Sequence, residues 1–210
     1  ICLVAPSRTV VSTTYVIGTG VGDTSLASLE EWFPGGQVVE DDLTIRQEAF
    51  IPYRIPADAR ANLQPEYSLD AAWATGITLA GYDLGKEVSQ SGDTLSLTLF
   101  YQARESIGKR YTAFVHLLGP HNRASGSHLW AQHDSEPCAG FYPTTSWHAG
   151  ELLMDRVTLS LPKDAPSGAY SLTTGFYDAW TGERLPVHAK AASTRDDSLT
   201  LGEISVTARE

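Results

Sequence analysis

The stretch Thr94-Leu-Ser-Leu-Thr-Leu-Phe-Tyr101 decides the fold. Leu95, Leu97, Leu99 and Tyr101 share one side of an extended chain, and Thr94, Ser96 and Thr98 share the other, because successive side chains on a strand point to opposite faces. One face is suited to a core and the other to water. Ser91-Gly92-Asp93 turns the chain into this strand, with glycine supplying the backbone freedom a tight turn uses.

Working outward, the same alternation and turn spacing recur from Gly76 to the end, at the intervals expected of a sandwich. Strands are expected over Ile77–Leu84, Tyr111–Leu118, His128–Asp134, Leu152–Leu161, Tyr170–Tyr177, Arg184–His188 and Asp197–Thr207. The second and third flank a polar loop containing Gly119, Pro120, Asn122 and Gly126 and read as a hairpin. In the last, Leu199 and Leu201 alternate, a slip falls at Gly202, and Ile204 and Val206 resume the pattern. The expected fold is all-β, an antiparallel two-sheet β-sandwich of Ig-like or jelly-roll type over residues 76–210.

Residues 1–75 read as an N-terminal extension or linker packing on that sandwich. Thr9–Ile17 is rich in β-branched residues and suits a strand. Asp23 suits a helix cap, with Leu26, Leu29, Trp32 and Phe33 at helical spacing behind it, ended by Pro34-Gly35-Gly36. Leu43–Ile55 is extended, and Pro52 and Pro56 mark it as edge or linker. Gly18-x-Gly20-x-Gly22 has neither dinucleotide-binding spacing nor a following Lys-Ser/Thr, so it reads as a turn. The chain starts at Ile1 rather than Met, which leads us to expect a fragment of a longer protein.

The 210 residues carry 25 acidic against 15 basic side chains, a formal charge of −10, and no Lys/Arg cluster of the kind that neutralises phosphates. Nucleic acid is therefore not an expected partner. Cys2 and Cys138, the only cysteines, allow one disulfide without demanding it, and their spacing is neither a redox motif nor a zinc site.

The segments Ile77–Leu84, Gly92–Tyr101, Tyr111–Leu118, Ala131-Gln-His-Asp134, Tyr142-Pro-Thr-Thr-Ser-Trp147, Gly150-Glu151, Leu161-Pro162, Gly168-Ala-Tyr170, Gly175-Phe-Tyr-Asp178 and Thr181–Leu185 together form a pattern. In this order they resemble the C-terminal extracytoplasmic domain of bacterial polytopic membrane glycosyltransferases that use lipid-linked sugar donors. The resemblance covers about half of the chain. It departs from the pattern at Cys138-Ala139 and in a longer Arg123–Trp130 loop. It implies a non-catalytic accessory domain, on the outer side of a membrane, tethered to a membrane-embedded portion of the same chain that carries the chemistry.

Within that frame, Trp130, Gln132, His133, Asp134, Tyr142 and Trp147 are the expected glycan contacts. Aromatic faces stack on sugar rings, while Asp, Gln and His bond hydroxyls; the competing reading makes Tyr142 and Trp147 caps on the core. An even-sum register in the hairpin puts His116 and Asp134 on one face and His133 on the other, which leaves too few converging ligands for a metal. Neither metal nor cofactor is expected, and no catalytic residue is assigned. Glu136, Glu151 and Asp155 are the carboxylates a glycosidase would need, and a hydrolase using Asp134, Glu136 or Glu151 ranks third, behind a free-standing secreted carbohydrate-binding module. Expected partners are a glycan or lipid-linked sugar acceptor and the membrane portion of the same chain.

Overall fold

A computed structural model describes residues 2–5, 14–17, 37–38, 50–54, 64–85, 88–140, 142–190 and 192–209, with backbone alone for residues 2–54 and 88. The strands are β1 (Cys2–Ala5), β2 (Thr14–Ile17), β3 (Gln37–Val38), β4 (Phe50–Arg54), β5 (Tyr67–Trp73), β6 (Ile77–Leu84), β7 (Val88–Gln90), β8 (Thr94–Ala103), β9 (Thr112–Asn122), β10 (Ser127–Ser135), β11 (Leu152–Ser160), β12 (Gly168–Tyr177), β13 (Val187–Ala189), β14 (Thr194–Arg195) and β15 (Ser198–Thr207). They form two sheets, ordered β13-β5-β6-β8-β11-β1-β2-β4-β3 and β10-β9-β12-β15-β14, with β7 running parallel to β15. The chain is an all-β sandwich.

The alternation in β8 does what its sequence predicts. Leu95, Leu97, Leu99 and Tyr101 are buried in the core between the sheets, where Leu153, Val157 and Leu159 of β11 and Val115, Leu117, Leu172 and Phe176 of the second sheet meet them. Tyr101 and Trp73 both pack edge-on against Phe176, at 5.1 and 5.0 Å between centroids. Tyr82 crosses the gap and donates its hydroxyl to the Leu201 carbonyl at 2.6 Å. The slip at Gly202 makes room for it, since a Cβ there would lie 3.1 Å from that hydroxyl. Ile204 and Val206 return to the core beyond the slip.

The sandwich starts earlier than the expected boundary at residue 76. β5 pairs with β6 and β13, and Ala71 and Trp73 belong to the core. Gly76, with φ +82, is part of the β5–β6 turn and not an entrance to the domain. β1 extends the first sheet through β11, and β2, β4 and β3 follow it. The helix expected after Asp23 lies outside the described residues.

Cys138 is disulfide-bonded, and Cys2 is the only other cysteine in the chain. Cys138 and Ala139 both adopt left-handed backbone, φ +57 and +53, a conformation that costs a non-glycine residue about 1–2 kcal/mol. The turn aims the Cys138 N–H at the buried carboxylate of Asp155, whose backbone lies opposite Cys2 on β1. Asp155 takes an inward position on β11, between Leu153 and Val157, and is 8% exposed.

Candidate functional site

The second sheet has one face in the core and one in solvent, and the solvent face forms a groove of about 620 Å³. Period two places the floor. Ser171 and Thr173 of β12, Ser198 and Thr200 of β15, and His116 and Leu118 of β9 all point outward. His128 and Gly119 line one side, and Arg184, Arg195 and Asp196 the other. Hydroxyls, imidazoles and guanidinia dominate the lining.

Arg184 is placed by three separate contacts. Its backbone bridges to Tyr177 as the chain returns from β12, its guanidinium lies 4.6 Å from the centroid of the Phe114 ring, and its Nη1 donates to the Asp196 carbonyl at 3.1 Å. That carbonyl is aimed by a tight hairpin. Asp196 and Asp197 join β14 to β15 with φ of +50 and +54, the two positive-φ positions of a two-residue turn that matches strand twist, where Asp is among the tolerated residues. Beneath, the Phe114 ring lies on the bare backbone of Gly175, where a Cβ would come within 2.5 Å of the ring.

His116 sits beside this stack, 4.7 Å from Phe114 between ring centroids. Its Nε2 is 3.7 Å from the Asp134 carboxylate. Burial pushes the imidazole below its ordinary pKa, Asp134 opposes that shift, and Arg184 adds to it. His116 is thus neutral at neutral pH, with one ring nitrogen to donate and one to accept.

The expected glycan contacts divide. Gln132 and Asp134 lie on the outer face with His116, in the even-sum register, while His133 pairs with Val115, is half-buried, and has its pKa lowered by burial. The aromatic residues turn inward. Trp147 is 3% exposed, packs against Tyr101 at 5.9 Å and donates Nε1 to the Tyr142 carbonyl at 3.1 Å. Tyr142 donates its hydroxyl to Glu151 at 2.8 Å. Trp130 donates Nε1 to the Pro120 carbonyl at 2.7 Å, with its ring edge-on to Tyr170. Trp147 therefore closes the core, with Tyr142 partly buried against it. Each has a polar atom that finds its partner in the loop, which lets the apolar ring face inward.

The three glycosidase carboxylates share no cleft. Glu136 is gripped by Arg110 through Nε and Nη2 at 2.7–3.0 Å, Glu151 by Tyr142 and the His148 amide, and Asp155 lies in the core. Among the described residues no group of three or more His, Cys, Asp or Glu could hold a metal ion, and no helix is long and apolar enough to cross a membrane.

Among the described residues, Trp180 is the large hydrophobic residue left in solvent, 95% exposed. It rides on a turn in which Asp178 accepts the Trp180 amide and pairs with Lys109. Since the ring covers nothing, Trp180→Ala is expected to shift the thermal midpoint by less than about 2 °C, checked by calorimetry.

No family model and no curated protein matches this sequence. Among solved structures, the C-terminal domain of wzt is similar with a TM-score of 0.47 and 12% identity, covering 70% of this chain and 83% of that one. The CARDB domain of a Pyrococcus furiosus protein, solved in complex with di-metal ions, is similar with a TM-score of 0.34 and 10% identity, covering 68% of this chain and 96% of that one. Both are distant likenesses of fold.

Proposed function

We propose that this chain is a non-catalytic, extracytoplasmic accessory domain that holds a saccharide chain in the groove on the outer face of its second sheet, in the service of a membrane glycosyltransferase. The observation that carries the reading is the groove lining. Four hydroxyls on adjacent strands and a neutral His116 face one concave surface, and such groups bond sugar hydroxyls without competing for a charge. Two further features support it. The oxidised Cys138 suits an oxidising compartment outside the cytosol, and the resemblance in residues 77–186 supports the link to glycosyltransferases.

Amide chemical-shift mapping of the full chain against neutral and uronate-containing bacterial oligosaccharides tests the groove. Shifts are expected to gather at His116, Thr173, Ser198 and Thr200. No response to any member of the panel, or shifts confined to the loop around Tyr142 and Trp147, would count against it. Hydrophobic spans encoded upstream in the same polypeptide would support the tether, whereas a cleavable signal peptide would point to a secreted binding module.

A further inference from the structure

Resting on the saccharide reading of the groove, we propose that its ligand carries a singly charged oxyanion, a hexuronate carboxylate or a phosphodiester, and that Arg184 is the residue that engages it. Arg110, Arg195 and Arg209 each have a carboxylate within 3.3 Å. Arg184 has none among the described residues. Its Phe114 and Asp196 contacts fix the plane of the guanidinium and engage one N–H, at Nη1, which leaves the remaining donors of a rigid fork facing the groove. A guanidinium already ordered by packing loses little freedom when it meets a planar oxyanion, so the bidentate pair forms at low entropic cost.

The charge of that ligand follows from the neighbours. Arg195 is paired with Asp196 at 3.3 Å, and His116 is neutral. Among the described residues, the charges in the lining without an ion-pair partner are then Arg184 and Glu203, with Asp134 close by at His116. One negative charge at Arg184 is matched; a dianionic monoester would set a second charge on the same group, facing Glu203 and Asp134 in a chain whose net charge is −10.

Calorimetric titration of the full chain with trigalacturonate, its neutral methyl ester and a phosphodiester-linked glycerol oligomer tests this, in the native protein and in Arg184→Gln and Arg184→Lys. The native protein is expected to bind one of the two anions about tenfold more tightly than the ester, and which one it prefers tells the carboxylate source from the phosphodiester. Arg184→Gln should cost the preferred anion about tenfold more affinity than it costs the ester, and Arg184→Lys should restore only part of that difference, because an ammonium lacks the planar fork. Equal binding of charged and neutral oligomers by the native protein, or equal loss of both in Arg184→Gln, would overturn the charge assignment while leaving the saccharide groove standing. Binding of none of the three would remove both readings.

Discussion

Replacing Asp155 by asparagine is expected to stabilise the protein at pH 7.5 by about 3 kcal/mol and to leave it unchanged near pH 3. Asp155 points into the sandwich core, 8% exposed, and burial raises its carboxyl from the ordinary 3.8 to about 6, against the opposing effect of the Cys138 amide. Its diagonal neighbour on β8, Tyr101, is buried too, and its ionisation is pushed up by burial first and by Asp155 second. The folded chain therefore holds a proton on Asp155 that the unfolded chain releases near pH 4. Stability from this group is complete below about pH 4 and declines as pH rises to about 6, a loss of about 3 kcal/mol for a two-unit shift. Asparagine keeps an acceptor for the Cys138 N–H and has no charge to bury, so its stability does not fall through this window. Urea unfolding of both proteins from pH 3 to 8 decides it. Parallel stability curves across that range would mean that Asp155 is ionised at little cost.

The strands were legible wherever period two ran without interruption. Leu95-Leu97-Leu99 and the slip at Gly202 both appear in the structure as the sequence predicts. β5 carries the same signal, Tyr67, Leu69, Ala71 and Trp73 alternating with Ser68, Asp70 and Ala72, yet it sits beyond a turn that resembles a domain entrance. The site divides along a different line. His116 and Asp134 could be placed together because one hairpin register sets both. Arg184 and Asp196 could not, since they meet through the β12 return and the β14–β15 hairpin, and no local pattern records that a carbonyl at residue 196 will receive a guanidinium from residue 184. The aromatic residues misled for a related reason. Trp and Tyr near loops suit both a stacking face and a core cap, and burial against Tyr101 decides for the cap at Trp147.

Gly175→Ala is expected to lower stability by about 2–3 kcal/mol and to weaken anion binding as strongly as loss of Arg184 itself. An alanine Cβ at this position would lie 2.5 and 2.6 Å from Cζ and Cε1 of Phe114 and 3.1 Å from the Asp197 carbonyl. The carbonyl belongs to the two-residue hairpin and has little room to retreat. Relief must come from the ring, which is 1% exposed and has Arg184 above it. Overpacking of a closed site costs about 1–3 kcal/mol. A lifted Phe114 ring also displaces the guanidinium from the Asp196 carbonyl, so the fork that meets the oxyanion loses its fixed plane. Gly108→Ala is the control, since its Cβ would meet no atom within 4 Å, and it should change stability by less than about 0.5 kcal/mol. Unfolding curves together with the trigalacturonate and phosphodiester titrations separate the two effects of Gly175→Ala. A destabilised Gly175→Ala protein that keeps its preference for the anion would show that Phe114 does not hold Arg184 in place. An undisturbed midpoint would show that the ring has room the packing does not reveal.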